Sequence, residues 1–215
     1  MQPRAIKQLI QLFQRLPGVG PRQASRFAYA LLDESPDIQR ALRHALAILA
    51  EDVERCPTCF RAKEKGKQCE SCKFEMSAYQ DIDSGGSSSH RILVVEKDQD
   101  VETIEKSGLW RGAYHVAGGL ISPLREDALL SGRLRGLHER VARLASTQKE
   151  MEIVMAFSAT PQGEATQRYL EKILEPFCAP KGPLKITSLA RGLSTGAEIE
   201  YADPSTLSHA LKNRK

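Results

Sequence analysis

The sequence predicts an α/β protein in which an N-terminal helical module precedes a mainly parallel sheet that is covered by helices. Three observations lead to this fold class. Apolar residues recur at three- and four-residue steps up to about residue 53, as on one face of a helix. Beyond residue 90, short β-branched apolar runs alternate with helix-like segments, which is typical of parallel strands joined by helices. Two close pairs of cysteines lie between these regions.

The N-terminal region predicts two short helices, over residues 4–15 and 22–32. The segment between them contains two prolines and two glycines, which a helix cannot traverse. We expect the apolar residues around this corner to pack inward: Leu12, Leu16, Ala24, Phe27 and Leu31. A third helix is expected to begin at Ser35-Pro36, because proline is favoured in a first turn. Its apolar residues also recur at helical spacing: Ile38, Leu42, Leu46, Leu49 and Val53.

The second half of the chain predicts the alternation of strands and helices. The expected strands cover residues 92–95, 113–117, 153–157 and 184–189. The expected helices cover residues 98–106, 124–146 and 164–174, and Gly132 and Gly136 are candidate breaks in the second of them. A short strand at 198–201 and a short helix at 206–211 follow. Residues 84–89, which are serine and glycine alone, predict a flexible connection and a domain boundary.

Length and composition limit the class of protein. A chain of 215 residues and 23.8 kDa is long enough for two or three compact modules. With 41% hydrophobic and 27% charged residues it has too much apolar material for a wholly disordered chain. It contains no run of about 18 to 20 apolar residues, and its charged amphipathic start differs from a signal peptide. We therefore expect a cytoplasmic protein.

Positive charge is concentrated near the N-terminus, beside the glycine-containing corner. Residues 1–50 hold seven Lys and Arg against three Asp and Glu, whereas the other 165 residues sum to zero. The glycines Gly18 and Gly20 allow backbone amides to turn outward and cradle a phosphate oxygen. Arg22 and Arg26 lie one helical turn apart, so both can face a DNA backbone. The alternative is a structural corner with solvated arginines.

The cysteines predict a metal site. Cys56, Cys59, Cys69 and Cys72 form two C-x2-C pairs, and the nine residues between the pairs suggest a hairpin. Two such knuckles present four thiolates to one Zn²⁺ and leave no open position for water, so the site is expected to be structural. A redox dithiol or a disulfide is the alternative. The fifth cysteine, Cys178, is far away in the chain and is expected to be buried and inert.

Two glutamates follow predicted strands. Glu96 comes directly after the first core strand, and Glu164 follows the third. Ligands of parallel sheets bind at the carboxyl ends of strands, so two carboxylates there are a candidate Mg²⁺ site beside a phosphate. A purely structural explanation also exists, because a carboxylate at the start of a helix is favoured by the helix dipole.

Together these motifs resemble the RecR family of recombination mediators of bacterial DNA repair, in order and over essentially the whole chain. The resemblance is carried by LPGVGPRQASRFAYALL, the pairs CPTC and CESC, ILVVEKDQDVETIEKSG, GGLISPL, ATPQGEATQRYL and ARGLSTGAEIEYADPSTLSHAL. It implies a helix-hairpin-helix module over residues 1–54, a four-cysteine zinc finger over 55–83, a linker and Toprim domain over 84–190, and a C-terminal segment over 191–215.

The resemblance also implies a function without catalytic activity. The resemblance implies that the subunits join into a tetrameric ring that can encircle DNA. Family members act with RecO, and in many bacteria with RecF, to recognise gapped DNA. There they help load the recombinase RecA onto single strands covered by single-strand-binding protein (SSB). One structural zinc ion per chain is implied as the cofactor.

Carried over residue by residue, the resemblance assigns DNA contact to Arg22 and Arg26 and the Toprim acidic positions to Glu96 and Glu164. The four cysteines of the two pairs are the implied zinc ligands. Catalytic Toprim enzymes place two aspartates after the third strand, where this chain has Ser158 and Thr160. Neutral hydroxyls cannot replace carboxylates on a hard dication. The rival functions are a Mg²⁺-dependent nuclease, primase or topoisomerase, and a protein-only scaffold.

Two loops depart from the family pattern. After GGLISPL the chain runs directly into Arg125, where the family has a turn with glycine and proline. In the C-terminal motif Ser194, Thr195 and Ala197 replace the usual proline, valine and glycine.

Overall fold

The computed structural model describes residues 2–76, 79–80, 88–122, 127–147, 150–178, 180, 182–190, 192–193, 196 and 198–212. The chain forms two compact units, Met1–Val53 and Glu54–Lys215. The divergent positions Arg125 and Ser194 lie outside the described residues. The division of the chain into four parts that the resemblance implies stays a prediction.

The first unit consists of three helices, α1 (Arg4–Phe13), α2 (Pro21–Asp33) and α3 (Pro36–Asp52). All three were predicted, although α1 ends two residues earlier than expected. The start of α3 follows the sequence signal closely, because the Ser35 hydroxyl accepts a hydrogen bond from the Ile38 amide and Pro36 occupies the first turn.

The core of the first unit is thin. Its buried residues are Ile6, Ala24 and Ala28, and the rings of Phe13 and Phe27 meet edge to face at 5.8 Å. The expectation that Leu12, Leu16 and Phe27 pack inward is wrong: their exposures are 57%, 52% and 38%. None of the described residues of α3 is buried. Helical periodicity shows that a helix has an apolar face but does not say what covers that face.

The second unit begins with the cysteine segment. Strands β1 (Val53–Arg55) and β2 (Ala62–Glu64) form a two-stranded sheet, and α4 (Glu70–Met76) follows. The larger sheet contains β3 (Tyr79–Gln80), β4 (Ser88–Val95), β5 (Ala113–Val116), β6 (Met151–Ala156) and β7 (Leu184–Ser188). Its helices are α5 (Asp98–Ser107), α6 (Ala128–Ala145), α7 (Pro161–Leu174) and α8 (Pro204–Lys212).

The four main strands are parallel and lie in the order β5-β4-β6-β7, while β3 pairs antiparallel with the beginning of β4. The predicted mainly parallel α/β sheet is therefore confirmed. Alternate residues of β4 face opposite sides of the sheet, as the strand geometry requires. Ile92 and Val94 join a core with residues of α6 and α7, whereas Leu93 and Val95 pack with Val101 of α5. No helix in the described ranges has the length and apolar composition needed to cross a membrane.

Three local predictions differ from the structure. Helix α6 is continuous through Gly132 and Gly136; at Gly136 the glycine makes room for the Phe60 ring, from which a Cβ would lie 2.7 Å. The strand expected at residues 198–201 is wrong, since Ile199–Tyr201 is a 3-10 helix. Ser88 and Ser89 belong to β4, not to a linker, because they pair with β3; residues 84–87 lie outside the described residues.

Cys178 is half-buried, not buried as expected. Its sulfur contacts the Leu174 carbonyl at 3.5 Å, and burial raises the pKa of its thiol. A thiol with a raised pKa holds its proton at neutral pH, which reduces its nucleophilicity.

The core packing predicts a stability difference between two leucines. Leu170 of α7 is fully buried, whereas Leu129 at the start of α6 is exposed. Leu170→Ala should lower the free energy of unfolding by about 2 to 5 kcal/mol, because it removes buried methyl groups and leaves a cavity. Leu129→Ala should change it by less than about 0.5 kcal/mol. Urea unfolding measures both, and equal losses would contradict the packing.

Candidate metal and nucleic-acid sites

The corner between α1 and α2 is a tight turn. Gly18 has a φ of +78°, which L-residues with a side chain rarely adopt, and the Val19 amide bonds back to the Leu16 carbonyl at 3.2 Å. Gly20 is the cap residue of α2, and Pro21 occupies its first turn. The turn therefore presents backbone to solvent beside the positive end of a helix.

Arg22 and Arg26 lie in the first two turns of α2, and both side chains are exposed. Among the residues that the structure describes, neither guanidinium has a carboxylate within 4 Å. The geometry thus has the features expected of a phosphate-binding corner: two cations on one helix face, next to a helix N-terminus. That these residues contact DNA stays a prediction.

The four paired cysteines come together, as the spacing predicted. Their sulfurs lie within 4.8 Å of one another, and the Cys56–Cys72 and Cys59–Cys69 sulfurs are 3.6 and 3.4 Å apart. Sulfurs that bind one tetrahedral ion at about 2.3 Å lie about 3.8 Å apart. The arrangement therefore fits a single structural metal ion.

Local backbone bonds hold each cysteine pair in a knuckle. In the first, the Phe60 amide bonds to the Cys56 carbonyl at 2.9 Å, and Phe60 takes a positive φ of 61°. In the second, the Cys72 amide bonds to the Cys69 carbonyl at 3.1 Å. The first knuckle joins β1 to β2, so the hairpin surrounds this pair. The expected hairpin between the two pairs is instead β2 followed by a turn at Gly66, whose φ is +74°.

The thiols do not ionise independently. Hydrogen bonding from Cys72 lowers the pKa of Cys59 to about 5, while burial and the nearby Cys59 charge raise the pKa of Cys69 to about 11. Once one thiol carries the negative charge, its neighbours hold their protons more tightly. A divalent cation would relieve this repulsion, because it stabilises all four thiolates together.

The cysteine segment bonds to the free edge of β5. The Val116 amide donates to the Cys59 carbonyl at 2.8 Å, and the Tyr114 amide donates to the Ser71 hydroxyl at 2.9 Å. Arg61 adds a two-pronged ion pair with Glu105 of α5, at 2.7 and 3.1 Å. Sequence reasoning missed Ser71, because a serine between two metal-binding cysteines carries no signal of a distant strand partner.

The two candidate glutamates stand where the sequence placed them. Glu96 follows β4 directly, and its carbonyl accepts a hydrogen bond from the Gly118 amide at 2.7 Å. Glu164 lies in the first turn of α7, after β6, and pairs with Arg168 at 3.6 Å. In the described part of the chain, the four cysteines form the one group of three or more potential metal ligands. Neither glutamate belongs to that group.

Ser158 and Thr160 stand at the positions where catalytic Toprim enzymes have aspartates, and their hydroxyls form hydrogen bonds within the loop. Ser158 and Thr160 bond to each other at 3.1 Å, and Thr160 caps α7 by accepting a bond from the Gly163 amide at 3.1 Å. Gly163 is required here, because a Cβ would lie 2.0 Å from the Ser158 carbonyl oxygen. This loop shapes the start of a helix and offers no second carboxylate for Mg²⁺.

Three family models match the chain: "RecR, helix-hairpin-helix" over residues 6–49, "Toprim domain" over 90–190 and "RecR, C-terminal" over 192–215.

Curated proteins named recombination protein RecR are similar over nearly the whole chain. The protein of Roseiflexus sp. (strain RS-1) is 37% identical over 99% of this chain and 94% of its own length. The protein of Chlorobium limicola is 36% identical over 98% of this chain and 96% of its own length. That of Lacticaseibacillus casei is 34% identical over 99% of this chain and 97% of its own length. This similarity supports a role in DNA recombination and repair. The chain belongs to the RecR family.

Proposed function

We propose that this chain is a non-enzymatic mediator of recombination and repair that binds gapped DNA as a ring-forming homotetramer. It acts with RecO, and with RecF, to promote loading of RecA onto single strands covered by SSB. The observation that carries the proposal is the hairpin corner with Arg22 and Arg26. Two exposed guanidiniums beside a helix N-terminus suit phosphates of any sequence, as a mediator of gap repair requires.

Residues of the Toprim domain support a function that involves no catalysis. The positions that carry aspartates in catalytic relatives hold Ser158 and Thr160, which bond to each other and to the start of α7. Glu96 and Glu164 then serve as an acidic surface for a partner protein, with RecO as the proposed partner. We assign them no catalytic role.

The metal is proposed to be one zinc ion per chain. Four buried or half-buried sulfurs in tetrahedral spacing suit Zn²⁺ or iron, and zinc needs no redox partner to act as a structural cross-link. The ligands are Cys56, Cys59, Cys69 and Cys72.

Self-assembly is supported by the first unit. A groove of about 430 Å³ between its helices is lined mainly by apolar side chains, among them Leu9, Leu32 and Leu46. With its three buried residues, the unit alone leaves most of its apolar surface in water. A second copy has the same apolar faces to offer, so a two-fold interface there is self-complementary. Two such dimers would join to close the ring. Several weak phosphate contacts, one set from each subunit, would then add to the affinity for DNA.

The DNA proposal is tested with Arg22→Ala/Arg26→Ala. Affinity for a labelled gapped duplex should fall, and the slope of log K against log salt should become shallower by about 2 for each subunit that contacts the DNA, since two phosphate contacts are lost per subunit. Fluorescence anisotropy across a salt series measures both, and RecA filament formation on SSB-covered gapped DNA should fall in parallel. Arg4→Ala/Lys7→Ala, which removes equal charge from α1, is the control. Equal losses in both variants would remove the hairpin contact, and no loss in either would favour the protein-only scaffold.

The zinc proposal predicts one zinc per chain in protein purified without added metal. Cys59→Ser should lower the zinc content well below one and lower the thermal midpoint, because the cross-link between the knuckles is lost. Cys178→Ser should retain both, since Cys178 lies outside the cluster. Elemental analysis with thermal melts measures this, and iron, or less than one zinc in the unmodified protein, would exclude the assignment.

The assembly proposal predicts a solution mass of four times 23.8 kDa at micromolar concentration. Leu46→Glu should reduce that mass, because it places a charge in the apolar groove. Leu109→Glu, at an exposed position of the second unit, is the matched control and should leave the mass unchanged. Light scattering after size-exclusion chromatography measures the mass. A mass of one chain for the unmodified protein would contradict the proposed ring.

A further inference from the structure

Phe60, which directly follows Cys59 in the chain, has a backbone conformation that a bulky side chain rarely adopts. Its φ is +61°, and among the residues that the structure describes it is the one residue other than glycine with a positive φ. A bulky residue in this region is strained, and the strain persists only where surrounding contacts hold the residue in place. The contacts of Phe60 are therefore part of what shapes the first cysteine knuckle.

The backbone of Phe60 is held by hydrogen bonds at both its amide and its carbonyl. The Phe60 amide donates to the Cys56 carbonyl at 2.9 Å, which closes the turn between the two cysteines of the first pair. The Phe60 carbonyl accepts a hydrogen bond from the Arg55 guanidinium at 3.1 Å. The positions of the Cys56 and Cys59 sulfurs therefore depend on the conformation of Phe60.

The half-buried ring of Phe60 lies in a socket formed by His115 of β5 and by Arg133 and Gly136 of α6. The His115 ring meets it edge to face, with the two centroids 5.4 Å apart. The Arg133 guanidinium lies 5.8 Å from its centroid, within the range of a cation–π contact. His115 is fully buried, and its Nε2 bonds to the Arg133 carbonyl at 3.0 Å, so the socket joins a strand to a helix.

The socket has room for the ring only because position 136 is a glycine. A Cβ at Gly136 would lie 2.7 and 2.8 Å from two atoms of the Phe60 ring, which is closer than non-bonded carbons approach. A Cβ at Gly132, one turn earlier in the same helix, would have no neighbouring side chain or segment within 4 Å. Any larger residue at position 136 would therefore displace the ring and break its contacts.

We propose that Phe60 is a positioning residue of the metal site: its ring, held in the socket, keeps the first knuckle in the conformation that binds the metal. This inference rests on the proposed metal ion. A knuckle that already has the bound conformation loses less conformational freedom on binding, so its metal affinity is higher. The affinity of the cysteine cluster then depends on Gly136, a residue of a helix that is distant from the four cysteines in the sequence.

The test compares the two glycines of α6. Gly136→Ala adds a methyl group that collides with the Phe60 ring, whereas Gly132→Ala adds the same group where no neighbour lies within 4 Å. Both changes favour the helix equally, because alanine is the better helix former, so the pair isolates the effect on the socket. Zinc affinity of the full chain is measured by competition with a chelator, and the Co²⁺ absorption spectrum reports tetrahedral thiolate coordination.

The expected result is that Gly136→Ala binds zinc about 10- to 100-fold more weakly, the range typical of residues next to a ligand shell, with Gly132→Ala within about threefold of the unmodified protein. Affinity retained by Gly136→Ala would overturn the inference. An equal loss in both variants would overturn it as well, because the loss would then come from the helix and not from the socket.

A double-variant cycle then shows whether Gly136→Ala acts through the ring. Phe60→Gly removes the ring and adopts a positive φ without strain, so relief of strain alone would raise the zinc affinity. The inference predicts a loss of affinity in Phe60→Gly and little further loss in Phe60→Gly/Gly136→Ala, since no ring remains to be displaced. Affinity retained by Phe60→Gly, or a full additional loss in the double variant, would overturn the inference.

Folding is scored in the same experiment by circular dichroism in saturating zinc. If Gly136→Ala does not fold, recovery of folding in the double variant supports the inference, and its failure to fold overturns it. If Phe60→Gly does not fold, the comparison of Gly136→Ala with Gly132→Ala decides.

The metal assignment is judged separately. If the unmodified chain holds no metal, the assignment itself fails. If the unmodified chain holds one zinc and Gly136→Ala binds it equally well, this inference alone fails.

Discussion

The bonds between the cysteine segment and β5 are the constraint on which the second unit depends. β5 is an edge strand, and its outward amides at Tyr114 and Val116 bond to Ser71 and Cys59. An open edge of this kind is a template for pairing with other chains. The knuckles that close it have few apolar residues, so a metal ion held by the four cysteines would stabilise the sheet edge as well as the segment.

The corner and the strand ends of the sheet present different chemistry. The corner at Gly18 and Gly20 presents backbone and two exposed arginines, a combination that suits an anion. At the strand ends, Glu96 follows β4 and Glu164 lies in the first turn of α7, and both are half-buried. The hydroxyls of Ser158 and Thr160 bond to each other and so shape the start of α7.

Local sequence patterns were sufficient to predict most of the main helices and strands. The C-x2-C pairs predicted the metal cluster, because two residues between thiols permit only a tight knuckle. Alternating β-branched runs predicted the parallel sheet, and Ser35-Pro36 predicted the start of α3. The failure at residues 198–201 has a physical cause. Residues 198–201 were expected to form a strand, but strand formation depends on a partner, which lies outside any local pattern.

The sequence by itself determined the order of the main helices and parallel strands, the cluster of four cysteines and the corner with Arg22 and Arg26, since each depends on residues close together in the chain. The tertiary structure alone decided what joins them. The Ser71 hydroxyl accepts a bond from the Tyr114 amide of β5, and the buried Arg140 donates to the Tyr114 carbonyl, across 43 and 26 residues of sequence. Sequence spacing carries no record of such contacts, because they are created only when packing brings distant segments together.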